Sequence, residues 1–386
     1  MTTHIVLVPR DGIFCKDGRG WHTSTSGRGH GLDWPWPSTV LGALRTAWGR
    51  AEEARTGQHF GSQDWRERTA ALRLERTLVL RRPLDASWKR NHRVWPVPLD
   101  ALWLEKVAEV RRLEPSPPSL PTLGRDNDEA REALWVPRLD EAAKPLPAPR
   151  WWSDEFFVGW LAGRSVLADD TRNAFKPSRR VQVHVGIRPE ELTADEGVLF
   201  SHDVVETLDA DAEWAIGVEV VQPDGNRPAI ATLGSDSRLA RIETLSDQIF
   251  DPPAAVLDAF CQGCFGLRLV VVSPACFEQG WLPDGLERRG SEFLGHMGPI
   301  KEEVVLRAAM VPRPVHVSGW DMASGYPKRT SRMVAPGAVY FFERTDGKPF
   351  SEADAQSLWL AALGTRTDEG FGRVVPGVWI PDRRTP

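Results

Sequence analysis

Cysteine is scarce in this chain: 386 residues carry four, Cys15, Cys261, Cys264 and Cys276. That excludes a disulfide framework and indicates a reducing compartment. Cys261 and Cys264 form a C-x-x-C, but a zinc site built on it needs a second pair at usable spacing. Cys15 and Cys276 supply only isolated thiols, so the pair is expected to be buried and structural. Long apolar runs are missing as well. None reaches the ~18 residues that span a bilayer, and "MTTHIVLVPRDG" lacks the layout of a signal peptide. The expected location is cytoplasmic. An excess of positive charge is also absent, the formal net charge being −5. Nothing global announces nucleic acid, yet a local basic patch serves on an acidic protein because exposed charges beyond ~10 Å are screened.

Catalytic signatures are missing in turn. "GFGRVV" offers Gly370 and Gly372 but places Val375 where a third glycine belongs. Its glycines follow a helix-like run and precede a strand. The helix therefore presents its C-terminus, the wrong end of its dipole for phosphate. No G-x-S-x-G elbow occurs. The nine histidines, His184 and His202 among them, are scattered. None forms H-x-x-x-H, and only His22 and His30 share one loop. Asp169 and Asp170 read as a solvated pair. No catalytic constellation, metal or cofactor is expected.

What the chain does have is tryptophan, seventeen residues of it. Many adjoin prolines or basic residues, such as Trp34, Trp36, Trp95, Trp151 and Trp152. That placement suits partly exposed contact surfaces, with core packing as the plainer alternative. "HIVLVP" predicts a buried strand, and a glycine-rich loop follows over 16–31. Next comes a helix after Pro37, capped by Ser38 or Thr39, with Leu41, Leu44 and Trp48 on one face. Residues 76–84 and 179–187 read as strands. "WWSDEFFVGWLAG" suits a helix, and 114–150 a surface insertion. A hairpin is expected to close around "PDGN". The C-terminal half opens with a bridging helix near 251–262. It continues with strands at 267–275, 304–311 and 338–344. A helix over 351–363, capped by Ser351 with Asp354, and a final strand "VVPGVWI" complete it. Each half thus runs strand, strands, helix, strand. This suggests an α+β protein of two ferredoxin-like units, each an antiparallel sheet backed by helices.

Basic residues recur in glycine-rich or aromatic-bearing loops. "RNAFKPSRR" holds Arg179 and Arg180. "GSDSRLARIE" holds Arg238. "GYPKRTSRMVAPG" holds Lys328, Arg329 and Arg332 beside Tyr326. "GTRTDEGFGRVVPGVW" holds Arg366 and Arg373 about Phe371, and the first helix holds Arg45. Guanidinium groups pair with phosphates, bases stack on aromatics, and glycine admits a close backbone, which suits single-stranded RNA. The acidic stretch 190–213 would repel RNA and reads as outer surface or a protein contact.

The blocks "RDGIFCKDGRGW", "PWPSTVLGALRTA", "QVHVGIRPEELTADEGVLF", "LGSDSRLARIE", "SPACFEQGWLPDG", "SGWD…PKRTSRMVAPGAVYFFE" and "LGTRTDEGFGRVVPG" occur in one order. In that order the chain resembles the third-subunit family of the type III-B CRISPR effector, the Cmr complex, within the RAMP superfamily. The resemblance implies two ferredoxin-like (RRM-like) units with large insertions and glycine-rich loops. They would be divided as 1–250, with insertions near 114–150 and 151–215, and 251–386. It implies a noncatalytic subunit that grips the 5′ handle of the crRNA. It also implies contact with the large polymerase-like subunit and with the first of the backbone RAMP subunits. Carried over by position, Gly364, Arg366, Gly370, Phe371, Gly372 and Arg373 match the superfamily's glycine-rich loop, and Arg45 faces RNA from the first helix. Arg179, Arg180, Lys328, Arg329 and Arg332 fall in segments that match the handle side, and Arg238 stands as an RNA candidate from its basic loop. Asp368 and Glu369 are awkward beside phosphate; they orient the arginines or face a protein neighbour. Two other readings stand beside this one. One is a RAMP-type endoribonuclease using His22 or His30 as general base. The other is the equivalent type III-A subunit.

Overall fold

The computed structural model describes residues 2–16, 28–29, 31–117, 134–139, 141–172, 176–222, 228–321 and 324–381. His22, His30, Phe175, the "PDGN" turn and much of the 114–150 segment lie outside them. The chain forms a mixed α/β structure whose two principal sheets are antiparallel. It packs as two compact, discontinuous units. One comprises Met1–Trp88, Pro177–Asp247 and His316–Ser331; the other comprises Lys89–Lys176, Gln248–Val315 and Arg332–Pro386.

In the first unit, Thr2–Pro9 pairs with Ala212–Val221 on one side and Leu239–Thr244 on the other. A strand with two neighbours and covered faces needs a continuous apolar run, and Ile5, Val6 and Leu7 are wholly buried. The strands Arg73–Pro83, Ala212–Val221, Thr2–Pro9, Leu239–Thr244 and Ile230–Thr232 follow in that spatial order. The hairpin expected around "PDGN" does not form from its two flanking strands. Ala212–Val221 is occupied on both edges, so Ile230–Thr232 pairs with Leu239–Thr244 instead. The helix Pro37–Thr56 starts one residue before the expected caps. Pro37 occupies the first turn, where its missing N–H costs nothing, and Trp36 is the uncapped N-cap. Val40, Leu41, Leu44 and Trp48 form its buried face, and Gly57 ends it in left-handed conformation. Arg179–Ile187 and Ala194–Val205 form a separate hairpin that exposes Val181, Val183, Val185 and Ile187. Of the acidic stretch 190–213, residues 190–199 are mostly exposed, as expected of outer surface. Asp203, Glu206, Asp209 and Glu213 are only half-exposed, because that part of the chain packs into the sheet through Val204, Val205 and Ala212.

In the second unit, seven strands follow the order Leu286–Arg289, Glu292–Gly295, Val304–Met310, Val339–Arg344, Gly266–Val271, Arg373–Trp379 and Ala361–Ala362. Every residue of Gly266–Val271 is buried. The last helix, Glu352–Leu358, carries the expected cap. Ser351 Oγ accepts from the Asp354 N–H at 3.2 Å, and the Asp354 carboxylate accepts from the Ser351 N–H at 2.8 Å. It ends five residues short of expectation because Ala361–Ala362 pairs with the final strand. "WWSDEFFVGWLAG" divides into a strand, Trp151–Ser153, and a helix, Asp154–Leu161, capped by Ser153. Cys264 is buried as expected, whereas Cys261 is exposed; both thiols are free.

Compactness divides the chain differently from 1–250 and 251–386, and the reason is a shared core. Trp95, Trp103, Trp152 and Trp160 are almost wholly buried in the second unit. Trp95 stacks on Phe157 at 4.8 Å and meets Trp359 edge-on at 5.6 Å. Trp34 is buried too, while Trp36 and Trp151 are half-buried, so packing claims most of these rings. Two buried guanidinium groups reinforce the join. Arg93 forms a fork with Asp154 at 2.7 and 3.0 Å. Arg268 meets Asp100 at 2.7 Å and donates to the Trp160 and Val378 carbonyls at 2.7 and 3.1 Å. The indole of Trp160 completes Asp100 at 3.0 Å.

Asp100→Ala strands a buried cation and is expected to cost about 3–5 kcal/mol in urea unfolding. Breaking the exposed Arg289–Glu303 pair by Arg289→Ala should cost under about 1 kcal/mol. Equal losses would refute this role for Asp100.

Candidate nucleic-acid interface

The C-terminal glycine-rich loop lies between Ala361–Ala362 and Arg373–Trp379. Thr365 anchors it, donating its N–H to the Cys276 carbonyl at 2.9 Å. Its glycines answer to the chain's own backbone. Gly372 has φ +75°, and a Cβ there would stand 2.0 Å from the Leu363 carbonyl oxygen. At Gly364, φ is +85° and a Cβ would meet the Cys276 carbonyl oxygen at 2.5 Å. The charges also turn inward. Arg366 forks onto Glu369 at 2.7 and 2.8 Å and lies 4.9 Å from the Phe371 ring centre. The hydrogen bond to Glu369 raises the Arg366 pKa further. The Arg373 guanidinium donates to the Thr367 carbonyl at 2.9 Å, and its backbone N–H donates to the Ser273 hydroxyl at 2.9 Å.

This arrangement resolves one open point and corrects another. Glu369 orients Arg366. Phe371 is fully buried, so its ring offers no face to a base in this conformation, and Arg373 keeps only 6% of its surface exposed.

Most of the other candidate cations also have partners. Arg45 donates to the Leu72 carbonyl at 3.2 Å. Arg179 pairs with Asp33, and Arg180 with Glu206 at 2.6 Å. Arg238 donates to the Gln182 side chain at 2.6 Å and lies 3.7 Å from Asp236. Lys328, Arg329 and Arg332 differ: all three are exposed, and no described residue partners their side chains.

Lys328 and Arg329 directly follow a small hairpin of Trp320–Asp321 and Tyr326–Pro327. Its two aromatic rings face solvent, Trp320 at 57% and Tyr326 at 71% exposure. Asp321 ties the hairpin to Arg66 at 2.8 Å, and the Lys328 N–H closes onto the Gly319 carbonyl at 2.7 Å. Exposed rings beside unneutralised cations are what a single strand requires, the rings for stacking and the cations for phosphates. Trp320 is not among the candidates named from sequence. Only its exposure distinguishes it from the many buried tryptophans.

A second cluster escaped the reading of histidine spacing. Pairing within the 179–205 hairpin sets Gln182 opposite His202 and His184 opposite Phe200, which makes the two histidines diagonal neighbours. Their rings stack at 4.6 Å, and His202 stacks on Phe14 at 4.1 Å. Ligand atoms of His184, His202 and Asp236 all lie within 4.8 Å of one another. Burial, reinforced by His184, holds the His202 imidazole below its ordinary pKa of 6.5.

The model of one family, CRISPR-associated protein (Cas_Cmr3), matches residues 5–379. The chain belongs to that family. The match covers nearly all of the chain, including both units, the glycine-rich loop and the 320–329 segment, and agrees with the resemblance to the third subunit of the type III-B effector. Two solved structures show a looser likeness. One is the Type III-B Cmr-beta bound to cognate target RNA, at 12% identity over 88% of this chain and 86% of that one, with a TM-score of 0.44. The other is Cmr-beta bound to cognate target RNA and AMPPnP, state 1, at 13% identity, the same coverages and a TM-score of 0.42. Neither is similar enough to carry an argument, so membership of the Cas_Cmr3 family rests on the family match. No curated protein matches the chain. No helix among the described residues is long and apolar enough to cross a membrane.

Gly372→Ala is expected to destabilise the protein by more than about 1 kcal/mol, because φ is positive and backbone blocks the new methyl. Gly42→Ala, in a helix with open space around it, should stabilise by up to about 1 kcal/mol. Thermal unfolding of the two variants separates a glycine required by geometry from one that is not.

Proposed function

We propose that the chain is a noncatalytic RNA-binding and scaffold subunit of a type III-B effector. In this reading it holds the 5′ handle of the crRNA and links the large polymerase-like subunit to the backbone RAMP subunits. Family membership supports the setting. The observation that carries RNA binding is the exposed hairpin, where Trp320 and Tyr326 flank a turn that leads into Lys328 and Arg329, which no described residue neutralises.

Both units fit a ferredoxin-like reading. Numbering each unit's four main strands in chain order gives the spatial order 2-3-1-4: Arg73–Pro83, Ala212–Val221, Thr2–Pro9, Leu239–Thr244 in the first, and Val304–Met310, Val339–Arg344, Gly266–Val271, Arg373–Trp379 in the second.

The glycine-rich loop takes a shaping role. Arg366 and Arg373 hold its form through Glu369 and the Thr367 carbonyl, so their contribution to RNA is conformational before it is electrostatic. Arg45, Arg179, Arg180 and Arg238 have partners to release before they can meet phosphate. Arg332, exposed and without a partner among the described residues, needs no such exchange there.

Binding of a handle-bearing single-stranded RNA to the full chain tests the assignment. Lys328→Glu with Arg329→Glu should weaken binding at least tenfold at low salt. The double change should also flatten the dependence of log K on log salt by about 0.7 for each phosphate no longer neutralised. Trp320→Ala should cost about 1–3 kcal/mol of binding with little change in that slope. Unaltered affinity in both variants, in protein that assembles normally with the other effector subunits, overturns the interface.

A further inference from the structure

His202 is 2% exposed, and neither of its ring nitrogens has a hydrogen-bond partner among the described residues. Nε2 of His184 is buried and likewise has no partner among the described residues. Leaving a buried polar atom unsatisfied carries a penalty, and packing alone does not account for it. A phenylalanine at position 202 would stack on Phe14 equally well with no idle nitrogen.

Asp236 Oδ2 lies 3.9 Å from His202 Nε2, too far for a hydrogen bond and close enough for both to serve one ion. Two neutral imidazole nitrogens and one carboxylate oxygen are a zinc-type donor set, with a fourth position left for water. Oxygen-preferring ions such as magnesium and calcium are a poor match for it.

We propose that His184, His202 and Asp236 bind a late first-row divalent cation, zinc in particular. The ion ties the 179–205 hairpin to the turn at Ser235–Ser237 within the first unit. Two local changes accompany binding. The stacked imidazoles, now 19° from parallel, turn so that their lone pairs converge. Asp236 exchanges its 3.7 Å approach to Arg238 for the ion, and Arg238 keeps its 2.6 Å hydrogen bond to Gln182.

The test uses the full chain stripped of metal by chelation, with zinc and cobalt ions as probes. One equivalent of zinc is expected to bind and to raise the unfolding temperature by mass action. Cobalt should give the visible absorption of a low-coordinate nitrogen and oxygen site. His184→Gln and Asp236→Asn should each weaken zinc binding more than about a hundredfold, beyond the roughly 10–100-fold that losing a supporting residue around a metal site costs. Asp236 is half exposed, so Asp236→Asn should leave the metal-free unfolding temperature in place. This separates loss of the site from loss of the fold. Failure to bind zinc, or binding at unchanged affinity in both variants, overturns the proposal.

Discussion

Arg268 and Asp100 meet where water does not reach, with side chains 1% and 0% exposed. Removing both charges from water costs several kcal/mol each, and the attraction between them recovers that only with good geometry and further hydrogen bonds to the remaining donors and acceptors. Here the Trp160 indole adds to the carboxylate, and the carbonyls of Trp160 and Val378 take the terminal N–H groups of the guanidinium, leaving Nε buried with no partner among the described residues. All of these partners come from distant stretches of sequence. The strand Gly266–Val271 can keep an arginine at its centre only when the 89–176 segment docks correctly against it. The second unit is discontinuous for this reason: the charge and the groups that neutralise it arrive from separate parts of the chain.

The same accounting explains the glycine-rich loop. Its composition suggests a cradle for something else, but its groups are used within the chain. Gly364 and Gly372 let the backbone pass close to Cys276 and Leu363. Arg366 is held by Glu369, and Arg373 by the Thr367 carbonyl. Charges available to an outside partner belong to a different segment. At Lys328 and Arg329 no described residue neutralises the cation, and the neighbouring rings of Trp320 and Tyr326 are in solvent. Free cations and open ring faces together distinguish an interface from a self-supporting turn, and composition reports neither.

Much of the local structure was legible in the residues. The apolar run "HIVLVP" read as a buried strand, and it is one because both of its edges and faces are covered. Ser351 and Asp354 read as a cap, since capping is an interaction across three residues. Leu41, Leu44 and Trp48 read as a buried helix face. The errors share another cause. "PDGN" has local turn chemistry, but the strand before it has both edges occupied by strands remote in sequence. For Trp95 and Trp152 the neighbours left contact surface and core packing both open, and tertiary packing places both in a core. His184 and His202 looked unrelated by spacing and are neighbours only through strand register.

By itself the sequence determined the order and type of most elements, the caps, and the ordered blocks that place the chain in its family. Those depend on interactions between residues close in sequence, or on the residues' identities alone. Tertiary structure decided which strands are neighbours, which stretches share a core, and which of many similar arginines and tryptophans face water. Burial and charge neutralisation depend on atoms brought together from across the chain, and neither is a property of a short stretch of residues.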